Sequence, residues 1–314
     1  MYTIRQPKEI IFGINSCQKF SFPSNSLVIT SKGAKSRGWL DYLKIEHFDI
    51  FDSVEANPSM NTVDKILSKF TQNYSFIIGL GGGSSLDVAK YVGFKMKKPK
   101  ILIPTTFGSG SEVTRISVLK INGKKTSFHD DNLLADVAIV DPFFLNSAPE
   151  NVIKNSAIDA CAQCSEAFDS KLANKYTQFL CMKSFEILEN AILTNNLSKL
   201  AYGSMLSGLG FGNSSTTLGH ALSYVFSNEG FSHGHALAFS TTVAHYFNNS
   251  QFYERFRNLV KKLDFKPIEL NQNLDDAAKL IQLDRKHMDN NPKIVSNQDI
   301  VNLLKTINSQ KVLS

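Results

Sequence analysis

The chain has 314 residues, 42% of them hydrophobic and 20% charged, which suits one large or two ordinary packed domains and excludes wholesale disorder. No apolar run approaches the roughly 20 residues a bilayer span needs. Met1-Tyr2-Thr3-Ile4-Arg5 also lacks the layout of a signal peptide, so a soluble, cytoplasmic protein is expected. Lys plus Arg exceeds Asp plus Glu by 34 to 28. These basic residues are dispersed, which argues against nucleic-acid binding and leaves a mild field suited to an anionic substrate or phosphorylated cofactor. The cysteines, Cys17, Cys161, Cys164 and Cys181, lack the paired spacing of a structural zinc site and read as reduced, apolar-like thiols.

Up to about residue 150, short β-branched runs alternate with helical patterns. Glu9 to Gly13, Ser26 to Thr30, Ser75 to Leu80, Lys100 to Ile103 and Asp136 to Val140 are continuous apolar runs, as in strands covered on both faces. Asn61 to Phe70 and Ser85 to Lys95 carry helical spacing between them. This alternation predicts an α/β unit with a parallel sheet. After Pro149 the strand signal stops. Helices are expected over Asn151 to Phe168, Leu172 to Leu193, Leu197 to Leu206, Gln251 to Leu263, Asp275 to Leu283 and Asn297 to Ile307. The last strand ends at Asp141-Pro142, giving a nucleotide-binding domain over 1–148 and an all-helical domain over 149–314.

Two loops in the first half carry binding chemistry. Gly79-Leu80-Gly81-Gly82-Gly83-Ser84 follows an apolar strand and opens a helix, where bare backbone and a helix N-terminus can hold a pyrophosphate. It is neither a strict GxGxxG nor a Walker A loop. Asp87 stands in the first turn of that helix. After the next strand, Thr105 to Ser111 consists of glycines and hydroxyl residues apart from Phe107, at the sheet edge where open α/β folds bind ligands.

In the helical half, Asp159 and Gln163 are four apart and share a helix face, as do His220 and Tyr224. His233-Gly234-His235 follows the turn-like Asn228-Glu229-Gly230. One carboxylate and two imidazoles can bind Fe²⁺ or Zn²⁺ and leave positions open for substrate.

These residues together resemble the iron-containing (group III) alcohol dehydrogenase family over nearly the whole chain. Gly81-Gly82-Gly83-Ser84 with Asp87 is similar to its GGGSxxD, and Pro104-Thr105-Thr106 through Gly110-Ser111-Glu112-Val113-Thr114 to its PTTxGTGSEVT. Val140-Asp141-Pro142, Ile158-Asp159-Ala160, Asn213 seven residues before His220, and Ser232-His233-Gly234 resemble its VDP, MDA, N-x6-H and PHG. Within the family, the chain looks most like the subgroup reducing phosphonoacetaldehyde and related small aldehydes.

The resemblance implies a dehydroquinate-synthase-like architecture: a Rossmann-like domain, then an all-α domain. It implies metal-dependent, NAD(P)-linked hydride transfer between a nicotinamide and a small alcohol or aldehyde, and a homodimer with no nucleic-acid or membrane partner. The metal ligands would be Asp159, Gln163, His220 and His233. Gln163 departs from the family's histidine and offers only a weaker neutral oxygen to Fe²⁺ or Zn²⁺. Tyr224 stands where the family often has a histidine, and Tyr224 and His235 are the expected catalytic donors. The pyrophosphate would rest on Gly81, Gly82, Gly83 and Ser84, with Asp87 in the same motif. The nicotinamide would lie near Thr105 and Thr106, and the ribose near Lys125. Ser31, after the second strand, would face the adenosine ribose. Lacking an acid there, Ser31-Lys32 favours NADPH over NADH. The competing readings are a lyase or polyol dehydrogenase of the dehydroquinate-synthase-like superfamily, and a nucleotide-binding protein that has lost catalysis.

Overall fold

The computed structural model describes residues 1–309, 312 and 313, in which the chain divides into two compact units, Thr3–Ala148 and the part from Pro149 onward. The first unit runs β1 (Glu9–Phe12), α1 (Ser16–Lys19), β2 (Ser26–Ile29), α2 (Gly33–Ser36), α3 (Trp39–Leu43), β3 (Phe48–Phe51), α4 (Met60–Lys69) and β4 (Phe76–Gly81). It continues through α5 (Gly83–Met96), β5 (Lys100–Pro104), β6 (Ile116–Ile121), β7 (Lys124–His129) and β8 (Val137–Val140). Six strands form one parallel sheet in the order β1-β8-β5-β4-β2-β3. The chain places β3 outside β2 and then returns to build β4 and β5 on β2's other side. Such a reversal opens a binding crevice at the carboxyl ends of the strands.

Burial explains why the central strands are continuous apolar runs. β2 and β5 are buried at every residue. One face carries Val28, Ile78, Leu80, Ile101 and Ile139 against Cys17, Trp39, Leu43 and Phe144. On the other, α5 lies directly on β4: a Cβ at Gly79 would come 2.7 Å from Ala89 Cβ. Two strand regions escape the sequence pattern. β3 is a half-buried edge interrupted by Asp49, and β6–β7 is an antiparallel hairpin turned by Asn122 and Gly123, both at positive φ.

Beneath the hairpin, the fully buried Lys90 ammonium donates to the carbonyl oxygens of Ser111 (2.9 Å) and Ile116. Glu112 is buried beside it, with Oε1 lacking a hydrogen-bond partner. Burial pushes the Glu112 carboxyl up from 4.5 to about 7, against the opposing pull of its backbone bonding and Lys90. Between those pH values the folded state holds a proton that the unfolded chain has lost, so this group's contribution to stability declines as pH rises from 4.5 to 7. Glu112→Gln is expected to gain stability relative to wild type over that window, by up to about 3 kcal/mol at pH 8, and little at pH 4.5. Urea unfolding of both proteins at the two pH values measures this; a pH-independent difference contradicts it.

The second unit is built from α6 (Glu150–Asp169), α7 (Lys175–Thr194), α8 (Leu197–Ser214), α9 (Leu218–Asn228), α10 (His233–Asn248), α11 (Tyr253–Lys262), α12 (Leu274–Gln282), α13 (Arg285–Asn290) and α14 (Asn297–Asn308). No strand occurs after Val140 among the described residues, and none of their helices is long and apolar enough to cross a membrane. The four cysteines are free and buried.

Candidate functional site

In the first unit, the predicted binding loops meet at the carboxyl ends of β4 and β5. Gly81 pairs with Pro104, and the Thr105 N–H donates to the Gly81 carbonyl at 3.0 Å. Gly81 adopts φ +149°, a conformation that side chains rarely tolerate. A Cβ at Gly82 would stand 3.0 Å from Thr106 Oγ1, and one at Gly83 2.9 Å from Ser109 Oγ. Gly82 is the N-cap of the 14-residue α5, which opens with Gly83 and Ser84 and whose N-terminus has no side-chain cap. Such an N-terminus presents free N–H groups and positive dipole, which suits a phosphate. Ser31 follows directly after β2, the strand paired with β4, so it shares this edge.

Asp87 and Lys125, the other two residues expected at the cofactor, lie on α5 and β7. Asp87 accepts from Ser111 Oγ (2.6 Å) and the Val118 N–H (3.0 Å) and lies 3.3 Å from Lys90 Nζ. Both its oxygens tie α5 to the following loop and hairpin. Lys125 is exposed on β7, opposite Lys120.

In the second unit, α6, α9 and α10 bring Asp159, His220 and His233 together. One ligating atom from each lies within 4.8 Å of the others. Asp159 Oδ1 is 3.9 Å from His220 Nε2 and 4.0 Å from His233 Nε2. Packing produces this convergence. A Cβ on Gly234 would fall 2.1 Å from the Asn155 carbonyl oxygen, so only glycine lets the start of α10 abut α6. Ser232 Oγ also donates to Asn155 Oδ1 at 2.7 Å. Asn155 precedes Asp159 by one helical turn, so this anchorage carries His233 to the carboxylate. Gly219 has the same duty beside His220, where a Cβ would meet Glu166 and Thr241.

Glu166, which sequence reasoning missed, organises the cluster. It is buried on α6, seven residues after Asp159 and thus on the same face. Its carboxylate accepts from the Thr217 N–H (3.1 Å) and the Gly219 N–H, capping α9, and from His220 Nδ1 at 2.6 Å. Burial pushes Glu166 up, but His220 and the backbone N–H groups outweigh it and hold the group below the usual carboxylate range. An ionised Glu166 makes Nδ1 the donor, and Nε2 is the ring nitrogen that faces Asp159. This is the carboxylate–histidine arrangement that supports metal ligation.

His287 on α13 was also missed. Its ring lies parallel to His220 at 6.2 Å and edge-on to Tyr224 at 5.8 Å, and Nδ1 contacts Asp284 Oδ2 at 2.6 Å. Burial drives His287 below the ordinary imidazole value despite Asp284, which favours the neutral ring. Tyr224 stacks on His233 at 6.2 Å, beside the cluster. Burial, then the carboxylates of Asp284, Asp159 and Glu166, push its phenol up, so it stays protonated.

Two expected site residues, His235 and Gln163, are engaged in contacts of their own. His235, two residues beyond His233, falls on a different face of α10. Its Nε2 contacts the Lys266 carbonyl at 2.6 Å and its ring packs among Phe231, Phe239 and Phe265. Gln163 reaches the cluster, but with its amide nitrogen: Nε2 donates to Asp159 Oδ1 at 2.9 Å.

The donor set of one carboxylate and two imidazoles fits Fe²⁺ or Zn²⁺. Comparison with known proteins agrees. The family model described as iron-containing alcohol dehydrogenase matches residues 7–142, and that of the family's C-terminal domain matches residues 153–286. The chain is 35% identical over 206 residues to long-chain-alcohol dehydrogenase 1 of Geobacillus thermodenitrificans, covering 56% of this chain and 52% of that protein. It is 31% identical over 211 residues to 4-hydroxybutyrate dehydrogenase of Clostridium kluyveri, covering 58% and 57%. These matches thus span little more than half of each relative. Among solved structures, an iron-containing alcohol dehydrogenase of Thermotoga maritima superimposes with a TM-score of 0.86 at 23% identity, over 98% of this chain and 100% of that one. Sulfoacetaldehyde reductase of Bifidobacterium kashiwanohense, solved with NAD⁺, gives 0.88 at 22% identity, over 98% and 99%. The parallel six-stranded sheet followed by helices is therefore this fold. With both its domains matched, the chain belongs to the iron-containing alcohol dehydrogenase family.

Proposed function

We propose that this protein is a metal-dependent, NAD(P)-linked alcohol dehydrogenase or aldehyde reductase acting on a small alcohol or aldehyde. The observation that carries the reading is the convergence of Asp159, His220 and His233, with Glu166 fixing the His220 tautomer. A divalent ion held by these three side chains supplies Lewis acidity to the oxygen of the reacting carbonyl or alcohol. The nicotinamide supplies or takes the hydride.

The chain's own residues bind, orient and hold protons. Gly81 to Ser84 and the N-terminus of α5 receive the pyrophosphate. We assign the nicotinamide to the neighbourhood of Thr106 and of Thr105, which is joined to that loop through the Gly81 carbonyl. Glu166 accepts from His220 Nδ1, so Nε2 is the nitrogen turned to Asp159 and available to ligate. Tyr224, whose hydroxyl stays protonated, is the hydrogen-bond donor beside the ligand cluster.

Removing the metal with a chelator and restoring Fe²⁺ or Zn²⁺ tests the reading, with aldehyde-dependent NAD(P)H oxidation as the readout. Activity that depends on the added ion supports it. Undiminished activity in metal-free protein contradicts it. We assign the preferred cofactor as NADPH on Ser31-Lys32, which sets no acid against a 2′-phosphate. Ser31→Asp is expected to move the ratio of kcat/KM values toward NADH by about tenfold, since a carboxylate repels the 2′-phosphate and accepts from a free 2′-hydroxyl. An unmoved ratio removes Ser31 from this role.

A further inference from the structure

Gln163 stands one helical turn after Asp159 on α6 and is nearly buried, at 5% exposure. Its Nε2 lies 2.9 Å from Asp159 Oδ1, the same oxygen that faces His220 Nε2 and His233 Nε2. Its Oε1 is buried without a hydrogen-bond partner. In the protein without an ion, reversing the amide would set two oxygens face to face at that short distance and lose the bond, so electrostatics select the N–H orientation there. An amide nitrogen has its lone pair delocalised into the carbonyl and does not bind a metal.

We propose that Gln163 is a positioning residue and not a metal ligand. Its N–H holds the Asp159 carboxylate toward His220 and His233, and the protein's ligands are Asp159, His220 and His233 alone. This rests on the metal-dependent reading above. A set of one carboxylate and two imidazoles holds its ion less firmly than a set with a third imidazole.

The test compares wild type, Gln163→Met and Gln163→His, titrated with Co²⁺ and read by affinity and visible absorption. Methionine keeps the side chain's length, lacks an N–H donor and offers a sulfur poorly suited to this ion. Gln163→Met is expected to weaken Co²⁺ binding by roughly ten- to hundredfold with band positions and intensities unchanged. Gln163→His is expected to tighten binding and shift the bands, because a new ligand enters. Bands in Gln163→Met that report a lost ligand would overturn the proposal, as would unaltered affinity. A crystal structure of the Zn²⁺-loaded wild type gives a check independent of variant folding. Oε1 is expected beyond about 3 Å from the ion, and about 2.1 Å would overturn the assignment. Should the wild type bind no ion at all, the metal-dependent reading falls and takes this inference with it. An ion bound with Gln163 as ligand defeats the inference alone.

Discussion

His233→Ala is expected to strip the protein of its metal and with it aldehyde-dependent turnover. The ligating atoms of Asp159, His220 and His233 lie within 4.8 Å of one another, and removing one imidazole leaves only an aspartate and a single histidine. The loss in affinity should exceed the ten- to hundredfold typical of a supporting residue. The fold should survive. The His233 side chain is 35% exposed, and α10 is anchored beside it by Ser232 and Gly234 against Asn155. Metal analysis of the purified variant, with circular dichroism as the control for folding, reads this directly. Full turnover by His233→Ala in chelator-treated protein would assign carbonyl polarisation to protein donors such as Tyr224.

Gly82→Val is expected to abolish cofactor binding, by about a hundredfold or more in affinity, while leaving the sheet intact. Gly82 has φ −72° and ψ 178°, a backbone that valine adopts without strain, so the effect comes from the space filled. Its Cβ would lie 3.0 Å from Thr106 Oγ1. The branched side chain therefore occupies the gap between the two loops and blocks phosphate approach to the N-terminus of α5. A hundredfold loss is about 2.7 kcal/mol. NADPH fluorescence titration measures it, and unchanged affinity removes this loop from the binding site.

The sequence was most readable where burial is two-sided or the motif is local. β2, β4 and β5 announce themselves because parallel strands covered on both faces are nearly continuous apolar runs. The hairpin did not, because β7 carries Phe128 as its single apolar residue and β6 breaks its apolar run with Ser117 and Lys120; Asn122-Gly123 was the signal available. α10 was hidden for the opposite reason: from Ala236 to His245 every residue is buried, so no polar face marks a helical period. In the site, Asp159, His220 and His233 followed from motifs, whereas Glu166 required noticing a second acid on the Asp159 face of α6. His287 had no linear signal, since only tertiary packing sets α13 against α9. His235, two residues after His233, lies on a different face of α10, which a helix imposes at that separation.

Metal dependence is tested most directly by one titration. Chelator-treated wild type, supplied with NADPH and a small aldehyde, receives Fe²⁺ or Zn²⁺ in increments while absorbance at the nicotinamide band and bound metal are followed together. The expected result is negligible oxidation without the ion and activity that rises in proportion to bound metal, saturating at one ion per chain. Full oxidation at zero bound metal would contradict a catalytic role for the cluster of Asp159, His220 and His233.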